Sequence, residues 1–322
     1  MAPGIAAMKQ PMMDKFLRLL PLLATAALAC SAPVAGGAKT GARVAGDGLV
    51  HATPALWAVR DADTTIYLFG TVHMLKANVR WFEGDVKTAF DSADTLVIEV
   101  SQDDPAKLAA AFARLAASDG GPPVSQSLTP KRSARYAAAL KTYHIPAEAM
   151  DRVDPWLVAI NLSVAPLMQL GYQQDLGADK VLEQAAAQSG KAVVGLESAE
   201  EQLGIFDALP RKVQIDYLNA TLEGLPEAEK EFATLIRNWS RGRADALAKQ
   251  MNESLKDTPE LAKPLLLDRN ARWAAWIEKR MDQPGTVFIA VGAGHLAGKG
   301  SVIELLKGRR LVAHRVGAAA KH

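Results

Sequence analysis

Two histidines far apart in the chain stand in matching settings. His73 follows the run Thr64-Thr65-Ile66-Tyr67-Leu68-Phe69 through Gly70-Thr71-Val72, and His295 follows Thr286-Val287-Phe288-Ile289-Ala290-Val291 through Gly292-Ala293-Gly294. Each run is β-branched and aromatic, as buried strands are. Glycine then lets the backbone turn, and the imidazole arrives just past the strand's carboxyl end, where open α/β sheets bind ligands. Two more apolar runs deliver carboxylates in the same way: Thr95-Leu96-Val97-Ile98 precedes Glu99, and Ala192-Val193-Val194-Gly195-Leu196 precedes Glu197. A lone acid at the end of an apolar run is costly to bury unless a cation meets it. Two imidazoles and two carboxylates suit a divalent transition ion such as manganese, cobalt, zinc or iron. Such an ion polarises a carbonyl and activates water while a carboxylate moves the proton.

Four segments together resemble the TraB/GumN family, which includes relatives of the Tiki metalloproteases. They are Tyr67-Leu68-Phe69-Gly70-Thr71-Val72-His73, Gly195-Leu196-Glu197-Ser198-Ala199-Glu200-Glu201-Gln202-Leu203, Asp268-Arg269-Asn270, and Val291-Gly292-Ala293-Gly294-His295-Leu296-Ala297-Gly298, with a closing segment Leu311–Val316. The likeness covers roughly residues 53 to 317. It implies an α/β fold shared with the ChaN and erythromycin-esterase group, and a metal-dependent hydrolase. The expected metal ligands are His73, Glu99 and His295. The expected catalytic groups are Glu197, Arg269 and Asn270, although the two glutamates can exchange roles. Arg269 can hold a substrate carboxylate, steady an anionic transition state, or pair with Glu99 or Glu197. Asp179, after Gly177, reads as a helix-start acid or a group that orients a ligand. Ser198 and Glu201 fit a capping box.

The elements that must position these groups follow from the pattern. A hairpin turns around Asp61-Ala62-Asp63, and a helix spans Trp81 to Ser92. Helical periodicity covers Pro105–Ala117, Ser133–Tyr143, Pro155–Leu170 and Ala178–Gln188. It returns from 199 to 282 with breaks near Pro210, Gly224 and Pro264, and a last helix covers Gly300 to Lys307. The expected fold is therefore α/β: a central mixed sheet flanked by helices, with a long helical insertion over about 104–190 and 199–282 in a domain of residues 53–317.

With 322 residues, 49% hydrophobic, 22% charged and a net charge of +2, the chain has room for one large domain and shows no basic stripe for nucleic acid. Lys15 and Arg18 precede an apolar run, Leu19 to Ala29, that ends Ala27-Leu28-Ala29 before the single cysteine, Cys30. This reads as a signal peptide over residues 1–30, followed by a flexible linker over 31–52. The expected location is the periplasm or cell envelope, with a possible lipid anchor at Cys30 as the only membrane contact. One cysteine leaves no internal disulfide. The expected partner is a small-molecule or peptide substrate whose amide or ester bond is cleaved. A non-catalytic binder of a small or haem-like molecule is the rival reading.

Overall fold

The computed structural model describes residues 48–317, apart from 101–109, 112, 116–120 and 253–258. The expected signal peptide, Cys30 and most of the linker and of the helix at 105–117 lie outside the described residues. Strands β1 (Val50–His51), β2 (Leu56–Arg60), β3 (Thr64–Thr71) and β4 (Val79–Arg80) lead into α1 (Gly84–Ser92) and β5 (Thr95–Val100). Helices α2 (Pro130–Thr142), α3 (Pro155–Gln169) and α4 (Ala178–Ser189) precede β6 (Ala192–Glu197). Then come α5 (Ala199–Asp207), α6 (Arg211–Gly224), α7 (Ala228–Ser240), α8 (Ala244–Asn252), a π-helical turn (Lys263–Leu267) and α9 (Asp268–Arg280). Strand β7 (Gly285–Gly292), α10 (Val302–Gly308) and β8 (His314–Arg315) complete the order.

The main sheet runs β6-β5-β7-β3-β2-β8. Its first four strands are parallel, and β2 and β8 are antiparallel, so the sheet is mixed as expected. Side chains alternate across a strand, and the two faces here build different cores. Phe69, Leu96, Ile98, Phe288 and Ala290 face a core with α1, α4 and α7. Leu68, Val97, Val287, Ile289 and Val291 face α9 and α10. A third core, around Trp156, Phe206 and Tyr217, belongs to α2, α3, α5 and α6. Among the described residues no helix is long and apolar enough to cross a membrane.

Three local features differ from the sequence reading. The helix expected from Trp81 begins at Gly84, because Trp81 stacks on Phe69 at 5.4 Å and meets Trp239 at 5.9 Å, which fixes it in the core. The short pair β1–β4 carries too few residues for a period to register. Strand β6 lies at the sheet edge, with Val193 and Val194 39% and 42% exposed, so its apolar run does not mark burial.

The parallel strands share one direction, and their carboxyl ends therefore align. Thr71 pairs with Gly292 and Val100 with Glu197. Each strand's exit is fastened from behind. Trp239 donates its indole N–H to the Gly70 carbonyl at 2.8 Å. At Gly177, a side-chain carbon would stand 2.4 Å from the His73 carbonyl oxygen, which only glycine permits. Gly177→Ala is expected to cost about 1–3 kcal/mol, the usual range for overpacking, since the blocking atoms are backbone. Chemical denaturation measures it, and a change below ~0.5 kcal/mol would show that the contact yields freely.

Candidate active site at the strand ends

His73, Glu99, Glu197 and His295 come to one place, all buried, as their strand-end positions require. At the centre of the cluster lies Arg269, which is 1% exposed. The π-helical turn and α9 carry it there from 72 residues beyond Glu197. Its Nε donates to Glu197 Oε2 at 3.0 Å, and one terminal nitrogen donates to Leu265 O at 3.0 Å and faces His295 Nε2 at 3.2 Å. The other terminal nitrogen contacts Oε1 of both Glu99 and Glu197. A guanidinium has five N–H bonds, and five partners surround this one. Of the uses open to Arg269 in the sequence, the structure displays the ion pair.

The surrounding groups hold that arrangement. Gln202 donates its amide to Glu99 at 2.8 Å and to Glu197 at 3.2 Å, and the Gly292 N–H donates to Glu99 Oε2 at 3.0 Å. Asn270 Oδ1 lies 2.6 Å from His295 Nδ1, and its amide donates to Gly300 O at 2.8 Å. An acceptor at Nδ1 places the His295 proton there, so Nε2 is left to accept from Arg269. The His295 ring also packs on Trp273, with centroids 4.4 Å apart. The expected capping box is present, with Ser198 Oγ receiving the Glu201 N–H at 3.1 Å and Glu201 receiving the Ser198 N–H at 2.7 Å. It starts α5 one residue after Glu197 and aims Gln202 back at both carboxylates.

His73 differs from its neighbours. Its Nδ1 lies 3.3 Å from Asp179 Oδ2 at the start of α4, and neither ring nitrogen has a hydrogen-bond partner among the described residues. Asp179 therefore takes the orienting place expected of it, with Nε2 of His73 left open. Sequence reasoning missed Gln202, which lay unassigned inside the quoted block, and Trp273. No local signal links either one to a site that forms across about 100 residues.

Burial opposes charge on every group here, and the partners decide the outcome. For Glu99, burial is outweighed by Arg269, His295, His73 and the Gly292 N–H, which bring it down to about 2. For Glu197, burial and the neighbouring Glu99 prevail over Arg269 and hold the carboxyl above its usual range. Burial and Arg269 push His295 down to about 3. At His73 burial pulls downward, but Asp179 and Glu99 outweigh it and the net direction is upward. A neutral His295 in the fold has a consequence for stability. Its contribution is complete above the unfolded value of 6.5 and is lost as pH falls from there toward about 3. One extra proton taken up on unfolding gives a slope of about 1.4 kcal/mol per pH unit. His295→Gln is expected to remove that slope between pH 6 and 4 in urea-unfolding series, and an unchanged slope would refute the neutral assignment. His73 has the opposite sign, which is why the difference between variant and parent is the quantity to read.

The donor chemistry bears on the expected metal. Glu99 and His295 already face Arg269, and a metal shared by them and His73 requires the guanidinium to withdraw. Among the described residues no group of three or more His, Cys, Asp or Glu side chains is arranged to hold an ion. As it stands, the set closes around an internal cation.

The comparisons with known proteins agree with the motifs. Residues 55–311 match the model of the TraB/PrgY/gumN family. The chain is 22% identical over 280 residues to an uncharacterized protein of Treponema pallidum (strain Nichols), covering 81% of this chain and 82% of that one. It is 26% identical over 267 residues to the uncharacterized protein YbaP of Escherichia coli (strain K12), covering 79% and 92%. No solved structure matches it. With its family model spanning four strand-end motifs and the sheet between them, the chain belongs to the TraB/PrgY/gumN family.

Proposed function

We propose that the protein is an exported hydrolase of an amide or ester bond, with His73 as the group that takes the proton from the attacking water. The observation carrying this reading is the open Nε2 of a buried His73 whose other nitrogen faces Asp179. A carboxylate behind Nδ1 keeps the proton on that nitrogen and leaves Nε2 basic. Glu197, held above its usual range, is the group able to return a proton to the leaving atom. Arg269, Gln202 and Asn270 fix the carboxylates and His295 around that chemistry.

A metal-dependent version of the same reaction has its own support. Three buried or nearly buried acids, Glu99, Glu197 and Asp179, stand against one buried guanidinium, an excess of negative charge that a divalent ion would balance. In that version His73, Glu99 and His295 would hold the ion, which would supply an acidified water. The test is a panel of p-nitrophenyl esters and aminoacyl anilides, run on chelator-treated protein with and without manganese, cobalt or zinc. Turnover that survives chelation and disappears in His73→Ala supports the first form. Turnover only with added metal supports the second. No turnover on any substrate, together with retained binding of a small ligand, favours the binding-protein rival.

A further inference from the structure

The two segments that hold the His73–Asp179 pair continue past it and enclose a groove of about 320 Å³. That volume lies at the lower end of the range for small-molecule sites, about 300–1,000 Å³. One wall is residues 76–83, which begin three residues after His73. The other includes Leu176 and Val181, on either side of Gly177–Asp179. The bridge between Leu75 and Gln173, with N–H···O distances of 3.2 and 2.9 Å, ties the walls together at their base. Val79, Phe82, Leu176 and Val181 make the groove apolar, backed by the Trp81 ring. Its rim is not neutral. Lys76 and Arg80 line it, and the one acid there, Glu83, is engaged by His51 at 2.7 Å. Lys76 stands over the Tyr172 ring, 5.1 Å from its centroid, which supports the stem and keeps the ammonium at the rim.

An apolar trough with two cations at its lip selects an anion with a hydrophobic body. A neutral amphiphile gains nothing from the rim and a cationic one is repelled. Hydrolysis of an ester or amide releases a carboxylate, and the groove adjoins the histidine assigned to water activation. We propose that this groove binds the acyl half of the substrate, an organic acid with an aliphatic or aryl body, and retains it as the carboxylate product. The assignment to the acyl half rests on the hydrolase reading. Binding itself does not, so it is tested without turnover.

The experiment is calorimetric titration of the full chain with octanoate, octan-1-ol and octylammonium, followed by amide chemical shifts with octanoate. Octanoate is expected to bind, with shifts confined to residues 75–83 and 173–182, and octylammonium is not. The double variant Lys76→Glu/Arg80→Glu should weaken octanoate roughly tenfold or more, a charge effect of ordinary size at a surface. Val181→Trp should fill the trough and abolish binding of octanoate and octanol alike. Thermal midpoints identify any variant that fails to fold, and the exposed Arg80→Glu serves as a charge reversal that leaves the core untouched. Equal affinity for the anion and the cation, shifts elsewhere in the molecule, or unchanged affinity in Arg80→Glu would overturn the proposal. Octanoate binding in a protein that hydrolyses nothing would keep the groove and discard only its link to the reaction.

Discussion

Arg269→Leu is expected to destabilise the protein by about 3–5 kcal/mol, the cost of leaving buried ionic partners without their cation. Glu99 and Glu197 both face the guanidinium, and each is almost fully buried. Removal of the arginine leaves two carboxylates in contact with only Gln202 and the Gly292 N–H to satisfy them. Arg269→Lys should recover little of the loss. An ammonium offers three donors from a point, while the partners here stand around a planar fork. The compensating change is informative: Glu99→Gln/Glu197→Gln added to Arg269→Leu should cost much less than the single substitution, since no unpaired charge remains. Chemical denaturation of the three variants closes the cycle. A single-variant loss under 1 kcal/mol would mean that water reaches the cluster and that the ion pairs are not the support described.

His73→Ala should lower turnover by about 10²–10⁴-fold, the usual value of a positioned base. Its effect on folding should be small by comparison, because no hydrogen bond of the described residues ends on its ring. The pH profile separates a base from a strut. His73 is held above its usual 6.5 by Asp179 and Glu99 acting against burial. The neutral form that accepts a proton therefore accumulates only as pH rises through that elevated value, so activity rises with pH and its acid limb sits above 6.5. Asp179→Asn removes the raising charge and should move that limb toward lower pH while reducing the maximum rate. An acid limb unmoved in Asp179→Asn would break the link between the pair and the reaction.

The strand ends were legible in the sequence because each motif carries its own signal: an apolar run, a turn residue and one polar group. The mixed sheet, the hairpin at Asp61 and the helices at 130–142, 155–169 and 178–189 follow from local period and punctuation. The identity of the cation at the centre did not follow in the same way. Arg269 lies 170 residues from Glu99, and its guanidinium reaches both carboxylates only because a π-helical turn precedes α9. Period and composition do not register such a turn. Gln202 escaped assignment for a related reason. It reads as an ordinary polar helix residue until the capping box fixes the helix's starting direction. The edge position of β6 was hidden because valines fit an exposed pleat as well as a covered one.

Arg269 joins groups from β5, β6, α9 and the turn after β7, and this also constrains how the chain can mature. The cluster holds together residues 99, 197, 269 and 295, so nearly the whole domain must be present before any of these charges finds its partner. An incomplete chain ending before β7 would carry two strand-end acids and an arginine without the Gly292 N–H or the His295 ring, and its sheet would lack the strand between β5 and β3. Such a chain has no partial version of the site to fall back on. Catalytic competence and completeness of synthesis are therefore the same event, and fragments made by premature termination are left open to proteolysis instead of persisting as half-active domains.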